Sequence, residues 1–208
     1  IDARGNVLIP LDDGSLGRIV ENLKREAVDS VAIGLMHSYV TPRHERLVAD
    51  HLSSALPNLS VTLSSEVSPE IREFDRWSTA AANAYIQPLM SSYLGRLDEK
   101  LTKMGFDCPL RMMTSGGGLA ALETARRFPI RLVESGPAGG AILAAHLAGE
   151  CRLDRVLSFD MGGTTAKICL IDDGEPQQSR TFEVARQYRF LKGSGIPLRI
   201  PVIEMVEI

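Results

Sequence analysis

Apolar residues recur every three or four positions over 15–27, at Leu16, Ile19, Val20, Leu23 and Ala27, which predicts a helix with Ser15 as its N-cap. The run 28–36 has no such period. It is short, apolar and partly β-branched, and reads as a buried strand. Thr41-Pro42 then reads as an N-cap with proline at the first helical position. That helix continues through Leu47, Val48, Leu52 and Ala55 until Pro57 stops it. Residues 59–63 form a second strand. Strand, helix and strand at this spacing make a βαβ unit and imply a parallel sheet.

A longer helical pattern covers 75–104, through Trp77, Ala81, Ala84, Tyr85, Leu89, Leu97, Leu101 and Met104. Pro88 inside it is expected to kink it or split it in two. Gly105 is a natural terminator. Then follow a strand at 110–113, a loop Thr114-Ser115-Gly116-Gly117-Gly118, a short helix at 119–127 and a strand at 130–133. Gly136-Pro137 opens a helix of small residues running to about Ala148. A strand at 155–159 ends in Asp160, a Gly-Gly turn follows, and a strand occupies 165–171. Asp173-Gly174 is a turn signal. A further strand, antiparallel to the one before, is expected over 179–190, then a loop at 192–195. The last residues, 201–208, are strand-like.

The chain of 208 residues suits one large domain or two small ones. With 44% hydrophobic but only 5% aromatic residues, its core must be mainly aliphatic and alanine. A net charge of −3 and the lack of a basic cluster argue against nucleic acid as a partner. Three cysteines, Cys108, Cys151 and Cys169, have no paired or C-x-x-C spacing, which argues against disulfides or zinc and for a reducing, cytoplasmic setting. No apolar run reaches the roughly 18–20 residues of a membrane helix, so no membrane is expected as a partner. The start at Ile1, without Met or leader, and the end in an apolar run are expected to be cuts in a longer chain.

The segment Phe159-Asp160-Met161-Gly162-Gly163-Thr164-Thr165 carries the main chemical signal. Glycines let backbone approach phosphate oxygens, successive amides in a tight turn make an anion-binding concavity, and Thr164 and Thr165 add hydroxyl donors. Asp160 would be repelled by phosphate itself. It makes sense as a partner of magnesium, through water, or as an orienter of a nucleophile. A plain hairpin with a Gly-Gly turn is the competing reading. Neither G-x-x-x-x-G-K-[ST] nor G-x-G-x-x-G occurs. Glu134-Ser135-Gly136-Pro137-Ala138-Gly139-Gly140-Ala141 is either a ligand-contacting helix start or a tightly packed helix. The loop 114–118 is either an oxyanion or phosphate turn or a flexible connection. His37, His44 and His51 are too far apart for one metal and read as surface residues. Arg72, Glu73, Asp75 and Arg76 read as a solvated or salt-bridged helix start.

Small-residue helix, strand, F-D-x-G-G-T and strand, in this order, resemble the middle of the actin-like ATPase superfamily, an α/β ribonuclease H-like fold. More narrowly, the chain resembles the hydantoinase A/oxoprolinase family in G-L-M-H-S-Y-V-T-P-R-H-E (34–45), S-S-E-V-S-P-E-I-R-E (64–73), N-A-Y-I-Q-P (83–88), S-G-G-G (115–118), E-S-G-P-A-G (134–139), F-D-M-G-G-T (159–164) and the stretch 193–207. The resemblance implies an actin-like fold truncated at both ends. Residues 1–74 would be the C-terminal part of an N-terminal hydantoinase/oxoprolinase region, and 75–208 the N-terminal part of the hydantoinase A domain. It implies use of ATP and Mg2+ to phosphorylate and hydrolyse a small cyclic amide, a hydantoin or 5-oxoproline-type ring, with a hydantoinase B-type subunit as partner. An ATP-using subunit of an acetone- or acetophenone-type carboxylase and a non-catalytic assembly module are the alternatives.

By the same resemblance Asp160 is the catalytic, magnesium-linked carboxylate. Gly162, Gly163 and Thr164 hold the phosphates, Thr165 adds a hydroxyl donor, Lys167 either contacts phosphate or balances its charge, and Gly136 and Gly139 line a hinge. Many members follow Gly-Gly-Thr with Ser/Thr, Thr and Asp, whereas this chain has Thr165, Ala166 and Lys167. The family's first phosphate loop and adenosine-binding part lie outside these residues, so the 208 residues alone are expected to show little ATPase activity.

Overall fold

The computed structural model describes residues 1–163, 165–188 and 191–208, and the backbone but not the side chain of Asp13. In chain order the elements are α1 (Asp13–Glu26), β1 (Ser30–Ile33), α2 (Arg43–Ala55), β2 (Ser60–Leu63), α3 (Ser64–Val67), α4 (Glu73–Lys103), β3 (Arg111–Met113), β4 (Leu119–Ala121) and α5 (Leu122–Arg127). A 3-10 turn (Pro129–Leu132) leads into α6 (Ser135–Glu150), β5 (Arg155–Met161) and β6 (Ala166–Asp172). Short strands β7 (Glu175–Pro176), β8 (Gln178–Ser179), β9 (Phe182–Val184), β10 (Ile196–Leu198), β11 (Val202–Ile203) and β12 (Val206–Glu207) close the chain. The chain divides into two compact units, Ile1–Tyr93 with Glu183–Arg199, and Leu94–Phe182 with Ile200–Ile208. No described helix is long and apolar enough to cross a membrane.

The first unit is built on the expected βαβ motif. Strands β1 and β2 pair in parallel, Ser30 opposite Ser60 through Ile33 opposite Leu63. Helices α1 and α2 bury Leu16, Val20, Val48 and Leu52 with Ile33 and Leu63. Asp12, not Ser15, caps α1: its carboxylate accepts from the amides of Gly14 and Ser15 and from the Ser15 hydroxyl. An ionised carboxylate is the stronger acceptor and starts the helix two residues early. Pro42, not Thr41, holds the cap position of α2, and no side chain caps that helix.

Helix α4 runs unbroken from Glu73 to Lys103 with Pro88 inside it, so the proline does not split it. Pro88 removes one donor, the bond back to Ala84. The turn that loses it is braced from the side, because Asn83 Nδ2 donates to Thr62 Oγ1 at 3.1 Å and Thr62 Oγ1 donates to Gln87 Oε1 at 3.0 Å. Gly105, at φ +89°, ends the helix, its amide reaching the Thr102 carbonyl and that of Phe106 the Leu101 carbonyl.

In the second unit β5 and β6 form an antiparallel hairpin, β12 adds to the other side of β6, and β7 pairs with β6 as well. Ala138 and Ala141 of α6 bury against Cys169, Ile171 and Ile203. Three expectations change here. Residues 119–121 are a strand paired with β3, so only 122–127 are helical, and 114–118 is a hairpin turn. Residues 129–132 are a 3-10 turn rather than a strand, started by Pro129, which has no amide to give a ladder. Over 179–188 there is no continuous strand. Short β8 pairs with β11, and β9 pairs with β10; Arg189 and Phe190 lie outside the described residues.

Candidate functional site

Side chains alternate along a strand, so the register of β5 and β6 decides what each residue faces. Val156 lies opposite Ile171, Ser158 opposite Cys169 and Asp160 opposite Lys167. Val156, Cys169 and Ile171 pack with α6, which sets Asp160 and Lys167 on that same helix-facing side. Leu157, Phe159 and Met161 take the other side and are exposed. Asp160 is exposed, and its carboxylate has no hydrogen bond or ion pair among the described residues.

Past Asp160 the chain turns at Gly162-Gly163. The Gly162 amide donates to the Thr165 carbonyl at 3.0 Å, so this donor closes the hairpin and is spent internally. A side chain on Gly163 would meet nothing within 4 Å, and one on Gly162 only the Thr165 carbonyl at 3.9 Å. Neither glycine has a left-handed φ. What they contribute is an uncrowded approach to the backbone. Thr164 lies outside the described residues, and Thr165 is half-buried.

Lys167 reaches across to α6, where its ammonium pairs with Glu134. Glu134 is the N-cap residue of α6, in the left-handed region at φ 59°, yet its side chain caps nothing. The carboxylate goes to Lys167 instead. Gly136 is exposed with nothing within 4 Å of an added side chain. Gly139 faces Met113, whose Cγ and Cε would both lie 3.7 Å from such a side chain.

The glycines of the 114–118 turn serve packing. Ser115 is buried, with its amide and hydroxyl both on the Arg131 carbonyl at 2.8 and 2.6 Å. The Thr114 amide bonds the Gly118 carbonyl and the Gly117 amide the Thr114 carbonyl. Gly117, at φ +82°, lies under Ile142 and Ile203. These bonds make the turn a packed connection between β3 and β4.

Arg76, expected to be solvated or salt-bridged, and His44, expected at the surface, are both buried in the first unit, Arg76 with the ion pair to Glu73. Arg76 is fully buried: its Nε donates to Ser64 Oγ at 3.1 Å, Nη1 to the Glu70 carbonyl at 3.0 Å, and Nη2 to the Leu35 carbonyl at 2.9 Å and Glu73 Oε1 at 3.3 Å. His44 is buried too, and burial, with the positive charge of Arg43 adding to it, holds its imidazole below the ordinary histidine range. His37 is half-buried and donates its amide to Glu73 at 3.2 Å, while His51 is exposed. Burial pushes the Glu73 carboxyl up, but hydrogen bonds from the His37 and Glu73 amides and from Arg76 outweigh it and hold the group below its ordinary value.

Sequence reading passed over Glu45, which is fully buried. Its Oε1 accepts from the Leu35 amide at 3.0 Å and Ser64 Oγ at 2.6 Å, and its Oε2 from the Ser65 amide at 2.9 Å and Ser65 Oγ at 2.7 Å. Glu45 and Arg76 thus share Ser64 and together hold the segments that leave the C-terminal ends of β1 and β2. The available signal was a lone Glu on the apolar side of α2, three residues before Val48. No group of three or more metal-ligating side chains occurs among the described residues.

The Hydantoinase/oxoprolinase family matches residues 76–208, and the Hydantoinase/oxoprolinase N-terminal region matches residues 1–56. An uncharacterized protein of Methanocaldococcus jannaschii is 37% identical over all of this chain and 31% of its own length. Caprolactamase subunit alpha of Pseudomonas jessenii is 32% identical, over 93% of this chain and 27% of its own. The 5-oxoprolinase of Saccharomyces cerevisiae is 32% identical over 78% of this chain and 12% of its own. The chain therefore spans under a third of the length of these relatives. The crystal structure of the ATP-dependent caprolactamase from P. jessenii superposes with a TM-score of 0.83 at 29% identity, over all of this chain and 29% of that one. A nucleotide-free acetone carboxylase, from work on ATP-dependent acetone carboxylation, gives 0.83 at 23% identity over all of this chain and 28% of that one, a likeness of fold. The α/β architecture is that of these ATP-dependent enzymes, consistent with the actin-like ATPase class.

Proposed function

Because the chain belongs to the hydantoinase/oxoprolinase family, we propose that it is part of an ATP-dependent amidohydrolase in which the β5–β6 hairpin holds the nucleotide phosphates. The observation that carries this reading is Asp160, an exposed carboxylate without a partner among the described residues, beside a glycine turn open to ligand. Asp160 would hold Mg2+, which supplies positive charge against the phosphates. Gly162, Gly163, Thr164 and Thr165 would lie along the phosphates, with Gly136 and Gly139 at the start of the helix beside them. The Lys167 ammonium would add counter-charge from the next strand. Preorganised charge of this kind is the largest single source of rate in such sites.

The substrate in this reading is a small ring with an amide bond, of the lactam, 5-oxoproline or hydantoin class. The 32% identities to a caprolactamase subunit and a 5-oxoprolinase support it. The former is itself an alpha subunit, and this also supports a second subunit, which we take to be of the hydantoinase B type. Residues 1–74 would close the N-terminal region and 75–208 open the hydantoinase A domain. The three free cysteines suit a cytoplasmic setting. A carboxylase subunit is the second reading, favoured by the acetone carboxylase fold.

The test is ATP turnover by the full-length protein, with its partner subunit, on caprolactam, 5-oxoproline and hydantoin. Ring opening coupled to phosphate release is expected, and Asp160→Ala should lower its rate by about 10²–10³. Turnover that needs a ketone and bicarbonate would select the carboxylase. An unchanged rate in the Asp160 variant would remove that residue from the chemistry.

A further inference from the structure

Buried polar atoms without a partner are rare, and Nδ1 of His37 is one of two such side-chain atoms among the described residues. It lies 3.9 Å from Glu73 Oε1, close enough for charge to act and too far for a hydrogen bond. That oxygen also accepts the His37 amide at 3.2 Å and Arg76 Nη2 at 3.3 Å, two donors that hold it as an anion. A ring nitrogen facing an anion keeps its proton, which leaves the lone pair on Nε2. Nε2 makes no hydrogen bond among the described residues, and with Nδ1 buried the exposed 26% of the side chain turns it outward.

The backbone fixes this placement. His37 has φ 58°, uncommon for a residue with a side chain, and is held there by Glu73 and by the Val40 amide on its carbonyl at 3.0 Å. It lies just past β1, at the carboxyl end of a parallel pair, where α/β sheets bind ligands. The other histidines have no such arrangement: His44 is buried, His51 is exposed, and His146 pairs only with Glu150 on the solvated face of its own helix. The further charged or titratable groups around the His37 ring are Tyr39, whose ring stands edge-on at 6.2 Å, and Arg76, stacked on Tyr39 at 5.4 Å. Glu45 of α2 bonds the Leu35 and Ser65 amides and two serines instead.

We infer that His37 is a general base that accepts the ring N–H proton of a cyclic secondary amide, with Glu73 as its positioning residue. This rests on the amidohydrolase reading. Of the groups in such a ring, the amide N–H is the one that must give up a proton when the carbonyl is phosphorylated. The carbonyl oxygen forms a bond to the γ-phosphorus of ATP, and the bond to the ADP oxygen breaks with its pair leaving on ADP. The N–H bond breaks, its pair becomes the C=N bond of the phosphorylated imidate, and the proton passes to Nε2. Glu73 then faces an imidazolium and stabilises it.

The experiment follows ATP turnover by the full-length protein with its partner subunit, on whichever of caprolactam, 5-oxoproline or hydantoin the wild type uses. The wild-type rate should fall from about pH 8 to 5, the range in which histidines change charge. His37→Asn, which suits the left-handed backbone and cannot act as a base, should lower the rate by about 10²–10⁴ and remove the acid limb. Added imidazole should restore about tenfold or more, with the ADP dissociation constant within about twofold of wild type. A rate within about threefold of wild type would overturn the inference. So would a low rate that keeps the acid limb or ignores imidazole, which would make His37 structural. Wild-type protein should not turn over the N-methyl derivative of its ring, and equal use of that derivative overturns the inference even if His37→Asn does not fold. Wild-type protein without any ring-dependent ATP turnover would remove the amidohydrolase reading itself, whereas an active His37→Asn beside an inactive Asp160→Ala removes this inference alone.

Discussion

Replacing Glu45 by glutamine removes one charge and almost no volume, and so isolates what the buried carboxylate contributes. Its two oxygens accept two backbone amides and two hydroxyls, all within 3.0 Å. A glutamine can accept at one side only. At the other, its NH2 faces a donor, either the Ser65 or the Leu35 amide. The serine hydroxyls can turn to accept, but an amide cannot. One buried N–H left unsatisfied costs about 1–3 kcal/mol. The remaining bonds lose their charge assistance, which brings the expected loss to about 2–4 kcal/mol. Trp77 is the only tryptophan and lies in the same unit, packed over Gly34 just after β1, so urea unfolding followed by its fluorescence reports on this region. Arg76→Met should cost a similar amount. The double variant should cost at least about 1 kcal/mol less than the two singles added, since both act on Ser64. A loss under about 0.5 kcal/mol in Glu45→Gln would refute the reasoning, because a surface substitution does no more.

Gly117→Ala should destabilise by about 2–3 kcal/mol in thermal or urea unfolding, through its left-handed φ and a methyl 2.8 Å from Ile142 Cδ1. His44 has a folded-state pKa below its unfolded value, so its contribution is complete above the ordinary value of 6.5 and is lost as pH falls toward the lowered one. Stability measured from pH 7 to pH 5 should therefore fall less steeply in His44→Gln than in the wild type, and an identical slope would contradict the assignment. Burial pushes the Cys169 thiol up, whereas Cys108 and Cys151 are exposed. A thiol reagent under native conditions should label the latter two and reach Cys169 only on unfolding.

Local pattern alone was enough for α1 and α2, the parallel βαβ unit, the Gly105 stop and the β5–β6 hairpin with its glycine turn. Each is written in a period of 3.6 or 2, or in a residue with restricted φ, and these are properties of neighbours in the chain. The family motifs were legible for the same reason, being contiguous words. Where charged side chains find partners is not a local property. Arg76 and Glu45 meet at Ser64 across 31 residues of chain, and Glu134 meets Lys167 across 33. Helical spacing cannot tell a solvated arginine from one that ties two strand ends together. The glycines at 116–118 carry the composition of an anion-binding loop, and only the contacts of Ile142, Ile203 and Arg131 make them a packing device. Pro88 is expected from sequence to kink or split its helix, because the side bonds that brace its turn come from Thr62, on another element. Sequence by itself determined α1, α2, the βαβ unit and the β5–β6 hairpin. Tertiary structure decided which polar groups are buried and which acid stays unpaired, because burial and pairing depend on distances in space that chain spacing does not set.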